Sequence, residues 1–159
     1  MNTYFYNTSI GKIGITEEND HITKLYFEND KVPPDLKIKE TAVLQEAARQ
    51  LVGYLAGELK VFTLPLVPAG TEFMKKTWAG LCKIPYGKTA TYGEIAAKAG
   101  SPKASRAVGM ANNRNPIPIF IPCHRVIGAN GQLTGYRGGL SLKKVLLDLE
   151  CSGTEIPSK

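Results

Sequence analysis

Cys123, His124 and Arg125 stand in a row behind Pro122, near the end of the segment Asn115–Ile127. A free thiol ionises near about pH 8.5, so only a few per cent is thiolate at neutral pH, and apolar surroundings lower that fraction. Cys123 therefore needs a base within reach and something to hold that base. His124 is one of only two histidines, and the other, His21, falls in a polar turn where a solvent-facing role is expected. A carboxylate such as Glu150 would fix the imidazole tautomer and stabilise its cation, as third members of nucleophile–base–acid triads do. Neighbours on an extended strand point to opposite sides, so His124 is expected to reach the thiol around a bend or through a water molecule. These residue types leave hydrolysis, acyl transfer and alkyl transfer open. An acyl-cysteine keeps a carbonyl that water can attack, whereas an alkyl-cysteine is a thioether with no such route. An alkyl acceptor would work once.

The elements around this row must position it. Pro116, Pro118 and Pro122 forbid helix, and Ile117 and Ile121, each preceding a proline, are pushed toward extended backbone. Ile117, Ile119 and Ile121 share one parity, so a stiff strand with one core-facing side is expected over 115–127. Upstream, Thr91 is a cap for a short helix from Tyr92 to Ala99, and Gly100 supplies a turn. Ser101 and Pro102 suit the N-cap and first position of a second helix running to about Asn112. Two short helices joined by a glycine turn read as a helix-turn-helix. The second carries small residues (Ala104, Ser105, Ala107, Gly109, Ala111) among Lys103, Arg106 and Arg114. Close helix packing would explain the small residues as well as a DNA groove would, but the charges favour DNA. Downstream come a turn over 128–132, a flexible loop over 135–139 and a final helix capped by Ser141. Its apolar stripe is Leu142, Val145, Leu146 and Leu149, with Glu150 at the flank.

The first part of the chain looks plainer. Residues 4–16 and 22–27 read as strands, 29–39 as a charged loop, and Leu44, Ala47, Ala48, Leu51 and Leu55 as the stripe of a helix starting at Thr41. This part reads as a small α/β buttress without a catalytic constellation. The Pro/Gly-rich stretch 64–70 marks a boundary, giving domains 1–67 and 68–155 and a tail 156–159. Thr71 caps a helix carrying Phe73, Trp78 and Leu81, where Trp78 and Cys82 read as packing residues.

Charge separates the two parts. Residues 1–67 hold 7 Lys/Arg against 9 Asp/Glu, a balance of −2, while residues 68–159 hold 13 against 5, a balance of +8. A polyanion such as nucleic acid is the first partner to consider. Three widely spaced cysteines form neither a disulfide framework nor a CxxC pattern, so a reducing compartment and no zinc are expected. No apolar run reaches membrane-spanning length and the N-terminus does not resemble a secretory signal, so a cytoplasmic protein without a membrane partner is expected.

Pro122-Cys123-His124-Arg125-Val126 resembles the active-site signature of the O6-alkylguanine-DNA alkyltransferases, also called methylated-DNA–protein-cysteine methyltransferases. The resemblance extends in order through Leu64-Pro65-Leu66, Gly70-Thr71-Glu72-Phe73, Ile84-Pro85-Tyr86-Gly87, Thr91-Tyr92-Gly93, Arg106-Ala107-Val108-Gly109, Asn115-Pro116, Gly135-Tyr136, Leu146-Leu147 and Glu150. It implies an α+β fold. A small N-terminal α/β domain, ribonuclease H-like with a three-stranded sheet, would precede a mainly helical C-terminal domain with a winged-helix-like helix-turn-helix. It further implies direct-reversal repair of double-stranded DNA, with O6-alkylguanine flipped out and its alkyl group passed irreversibly to Cys123. O4-alkylthymine stays open as a second substrate. His124 would be the water-linked base, Glu150 its orienting acid, and Asn115 a hinge between the recognition helix and the active segment. Tyr92 would help rotate the nucleotide and donate its hydroxyl to a ring nitrogen of the leaving guanine. Arg106 would fill the vacated stack, with Lys103, Ala107, Gly109, Arg114, Thr91 and Ser101 along the DNA, in the minor groove. Tyr92, Val126, Tyr136, Arg137 and Gly138 would line the pocket. A monomer with no cofactor and no metal is implied, with cooperative binding on DNA and association with a bacterial or archaeal nucleoid left open. Two features depart from many relatives: the N-terminal zinc ligands are missing, and Arg137 stands where a small residue is common. That arginine is expected to narrow the pocket or touch a phosphate.

Overall fold

A computed structural model of the chain describes residues 1–152; the expected tail and residues 153–155 of the second expected domain lie outside the described residues. Three strands open the chain, β1 (Asn2–Thr8), β2 (Gly11–Glu18) and β3 (His21–Tyr26), paired antiparallel in the order β1-β2-β3. The single strand expected over 4–16 is thus two. Thr8 breaks it: its hydroxyl donates to the Gly11 carbonyl at 2.7 Å and accepts from Ile10 N–H at 3.2 Å, which closes a two-residue turn at Ser9–Ile10. Gly11 takes a φ of 103°, which favours glycine. The second turn, Asn19–Asp20, has φ of 52° and 63°, the paired left-handed geometry that suits the twist of a two-residue hairpin.

Helix α1 (Ala42–Leu55) follows and packs across all three strands. Its Leu44, Ala47 and Leu51 join Ile13, Ile15, Ile22 and Leu25 in the core, as the helical stripe predicts. The Pro/Gly-rich stretch then lies along the free edge of β3: Ile22 N–H donates to Pro65 O at 2.7 Å and Val67 N–H to Ile22 O at 2.9 Å. The same edge reaches the central segment, where Leu25 N–H donates to Pro116 O at 2.8 Å. The sheet is therefore stitched directly to the residues that lead to Cys123.

Beyond it lie α2 (Glu72–Leu81), the two-residue strand β4 (Ala90–Thr91), α3 (Tyr92–Lys98), α4 (Ser105–Asn113), a 3-10 turn at Cys123–Arg125, β5 (Val126–Ile127) and α5 (Leu140–Ser152). Thr71 caps α2 by accepting from Met74 N–H at 3.1 Å, and Trp78 ties α2 to α4 through Nε1–H donated to Ala111 O at 2.8 Å. Cys82 departs from expectation. It follows the last turn of α2 at the surface and is exposed rather than packed in the core. Helix α3 starts with a capping box, in which Glu94 N–H donates to Thr91 Oγ1 at 3.1 Å and Thr91 N–H to Glu94 Oε1 at 2.9 Å.

Helix α4 begins later than the Ser101–Pro102 signal predicts. Ala104 N–H donates to Ser101 O at 2.8 Å, so these four residues close a turn before the helix starts at Ser105. The fixed φ of proline suits the second position of a turn as well as the first of a helix. Three residues of apparent helix, Pro102 to Ala104, are spent on the bend.

Candidate active site

The segment expected to be an extended rod is folded on itself. Ile121 N–H donates to Ile117 O at 2.9 Å, and Ile119 at the bend takes a φ of 74°. A branched residue in left-handed backbone costs ~1–2 kcal/mol, while full burial of such a side chain returns ~1.5–3 kcal/mol. Ile117, Ile119, Phe120 and Ile121 are all buried, so both parities face the interior and burial outweighs strain. Asn115 pins the bend, donating Nδ2–H to Ile121 O and accepting Ile117 N–H at Oδ1, each at 2.9 Å. Pro122 then makes a tight turn (φ −79°, ψ 64°) in which Cys123 N–H donates to Ile121 O at 2.7 Å. This tight turn leads into the 3-10 turn, so Cys123 and His124 are not on opposite faces of a strand. The bend anticipated between them exists.

Cys123 is 3% exposed, and its carbonyl accepts Nδ2–H of Asn112 at 3.2 Å. Burial pushes the thiol up to about 11, against smaller downward pulls from Asn115, Arg137 and Lys143. At neutral pH the sulfur is therefore protonated and depends on a base.

His124 is fully buried, with Nε2 2.7 Å from Glu150 Oε2. Burial lowers its affinity for a proton, opposed by Glu150 and reinforced by Arg125 and Lys143, so the ring is neutral. For Glu150, burial alone would raise the carboxyl. Hydrogen bonds from His124, Arg125 and Tyr54 outweigh it and hold the group at about 2. A neutral imidazole facing a charged carboxylate must carry its proton on Nε2, which leaves Nδ1 bare as an acceptor. Nδ1 is buried and meets no protein partner among the described residues. That is the arrangement a proton acceptor needs.

The charge on Glu150 is anchored by Arg125, whose Nε and Nη2 donate to the two carboxylate oxygens at 2.8 and 2.9 Å while Nη1 donates to Ile84 O at 2.7 Å. Gly87 N–H adds a longer contact to Oε1 at 3.3 Å. Two-pronged contact of this kind is the strong form of an arginine–carboxylate pair.

The remaining sequence-predicted residues divide into two groups. Val126, buried and paired with Ala90, shares the core cluster of Cys123, and Tyr136, whose hydroxyl is buried without a partner among the described residues, is close enough to feel the Cys123 charge. Gly138 is needed small there, since a Cβ would meet Leu142 at 2.8 Å and Phe27 at 3.2 Å. Tyr92 is half-buried with its hydroxyl 2.5 Å from Thr134 Oγ1, and its ring lies over Gly109, where a Cβ would sit 3.8 Å away. Ser101, Lys103, Arg106, Ala107 and Arg114 are exposed on and around α4, while Thr91 is half-buried and committed to its cap.

Three comparisons bear on this arrangement. Residues 72–152 match the family model described as the 6-O-methylguanine DNA methyltransferase DNA binding domain, and residues 1–68 match that family's ribonuclease-like domain. The chain belongs to the 6-O-methylguanine DNA methyltransferase family. Among its relatives, the methylated-DNA–protein-cysteine methyltransferase of Methanosarcina acetivorans is 52% identical over 150 residues, 92% of this chain and 96% of that one. The constitutive enzyme of that name from Bacillus subtilis is 49% identical over 150 residues, 90% and 91% of the two chains. The crystal structure of Mycobacterium tuberculosis OGT in complex with DNA superposes with a TM-score of 0.93 at 41% identity, covering 98% of this chain and 96% of that one. The α+β class, with a three-stranded ribonuclease-like part and a helical part, is the fold of this methyltransferase family.

Several site residues of this family member escape a sequence reading. Tyr54 of α1 donates its hydroxyl to Glu150 Oε2 at 2.5 Å and lies 3.3 Å from His124 Nε2. It lies on the buried side of α1 and looks like packing. Lys143 is fully buried and donates to Thr134 O at 2.8 Å; the signal was there, since it falls on the same side of α5 as Leu146 and Glu150. The Arg137 side chain is held by the first part of the chain. Its Nη2 donates to Leu25 O at 3.0 Å, lies 3.7 Å from Asp30, and the guanidinium sits 5.6 Å from the Phe27 ring centroid.

Proposed function

We propose that this chain repairs O6-alkylguanine in double-stranded DNA by moving the alkyl group once and irreversibly onto Cys123. The observation that carries the reading is a buried thiol followed directly in the chain by a buried, carboxylate-held imidazole whose second nitrogen is bare among the described residues. The thiol proton passes by way of water to His124 Nδ1, and the thiolate attacks the alkyl carbon. The S–C bond forms as the C–O6 bond breaks, and the proton finally resides on a ring nitrogen of guanine. Tyr92 donates its hydroxyl to the leaving base, which offsets the charge developing there.

A thiol 3% exposed cannot meet a stacked base, so the nucleotide must leave the helix to reach it. Arg106, on the exposed face of α4, fills the gap, with Lys103, Arg114 and Ser101 on the backbone and Ala107 and Gly109 allowing close approach in the minor groove. Asn115 is the hinge between that helix and the active segment. Val126, Tyr136, Gly138 and the Arg137 backbone line the pocket. Exposed cations that make no ion pair among the described residues suit a polyanion, and a related protein, M. tuberculosis OGT, was crystallised in complex with DNA. The division into 1–67 and 68–155 is supported by separate family models over 1–68 and 72–152. No helix among the described residues is long and apolar enough to cross a membrane. A cytoplasmic monomer without cofactor or metal completes the reading, with O4-alkylthymine as a second substrate and association with a nucleoid left open.

Equimolar protein mixed with duplex DNA holding one O6-methylguanine should add one methyl to the Cys123 peptide and restore guanine. Cys123→Ala should bind the duplex and transfer nothing. A tight complex with an unmodified peptide would point to a damage sensor, and methyl on another residue would refute the assignment.

A further inference from the structure

We propose that the Tyr54 hydroxyl shares the Glu150 carboxylate with His124 and so keeps the imidazole neutral, making Tyr54 a positioning residue for the transfer. The inference rests on the alkyl-transfer reading above. Three polar groups meet at one oxygen: Tyr54 Oη lies 2.5 Å and His124 Nε2 2.7 Å from Glu150 Oε2, and the two lie 3.3 Å from each other. Arg125 also holds this oxygen through Nη2, and the other oxygen is held by Arg125 Nε and Gly87 N–H.

Each donor on a carboxylate reduces the negative charge it can offer to the next. An imidazolium is stabilised by an adjacent carboxylate far more than a neutral ring is, so a carboxylate left to His124 alone would favour the cation. A cation has a proton on Nδ1 and can accept none from the thiol. Burial, with Arg125 from the same turn and Lys143 from α5, also disfavours the cation, and Glu150 opposes them. Tyr54 cannot swing away, because its ring is held against Phe62 at 5.1 Å and edge-on to Tyr86 at 6.2 Å between centroids. The hydroxyl stays a donor, since burial and the neighbouring Glu150 push its ionisation well above the ordinary range. The first part of the chain thus supplies a polar atom to the reactive cluster as well as a surface for it to lean on.

The test is the single-turnover transfer rate against pH for Tyr54→Phe, and for the full-length protein with 3-fluorotyrosine at position 54, a stronger donor that keeps the ring. Removing the hydroxyl should move the acid limb up by ~0.5–1 pH unit, so transfer slows about three- to tenfold more at low pH than on the plateau. Fluorination should move the limb down. If the phenylalanine variant fails to fold, the fluorinated protein and an NMR titration of the His124 ring decide. An equal slowing at every pH, or a limb that stays put in the variant that folds, would overturn the proposal. Wild-type protein that leaves Cys123 unalkylated would instead sink the alkyl-transfer reading itself.

Discussion

The cluster behind Cys123 and the outer face of α4 are both rich in charge, and they use it in opposite ways. In the cluster every charge is committed: Glu150 receives Arg125, His124 and Tyr54, and Arg125 also reaches the Ile84 carbonyl. On and around α4, Lys103, Arg106 and Arg114 are exposed and make no ion pair among the described residues. Buried charge is costly unless fully paired, so a site that retains it gains fixed geometry. Exposed cations cost little and remain available to a polyanion, whose released counterions supply the binding energy. Geometry is held in one region and attraction is held in the other.

Mutations can break this contrast. Glu150→Gln removes the negative charge but leaves Arg125 buried, and breaking such a pair costs ~3–5 kcal/mol. Denaturant unfolding should show a loss of that size together with slowed transfer, while duplex binding by the folded fraction changes little. A stable Glu150→Gln protein would mean that the buried charges are not committed as described.

The thiol gives a second, smaller effect on stability. Its folded value is raised from 9.0 to about 11, so the folded state keeps a proton that the unfolded chain releases. Stability from this group is fully present below about pH 9 and is lost as pH rises toward 11, by at most ~2–3 kcal/mol. Cys123→Ala should flatten the fall in unfolding free energy between those values. Parallel curves for the two proteins would show that the thiol is not shielded.

On the other side, Arg106→Ala should leave stability within ~0.5 kcal/mol of wild type. It should weaken binding to duplex DNA and reduce the slope of log affinity against log salt by about one. An unchanged slope would place α4 away from the DNA.

How far these two regions were legible follows from how local their causes are. The stripe of α1 and the caps at Thr71 and Thr91 depend on residues three or four apart, and the sequence carries them openly. The exposed cations beside small residues on α4 were equally visible. The turn at Ser9–Ile10 was hidden in a run of strand-forming residues because its cause is one threonine hydroxyl. The rod expected over 115–127 does not form, because proline restricts single residues while Asn115 and the surrounding core bend the segment as a whole. Tyr54 meets Glu150 across 96 positions, a distance that no local pattern spans. The sequence sets a thiol and an imidazole side by side, but the fold decides how many donors share the carboxylate.

A methylated Cys123 would be a thioether with no route back to a thiol. Protein incubated with a large excess of duplex DNA containing O6-methylguanine, with repaired guanine followed to completion, tests this most directly. Repair should stop at one equivalent per protein, with every Cys123 methylated. Guanine that continues to accumulate beyond that point, with Cys123 recovered as free thiol, would contradict it.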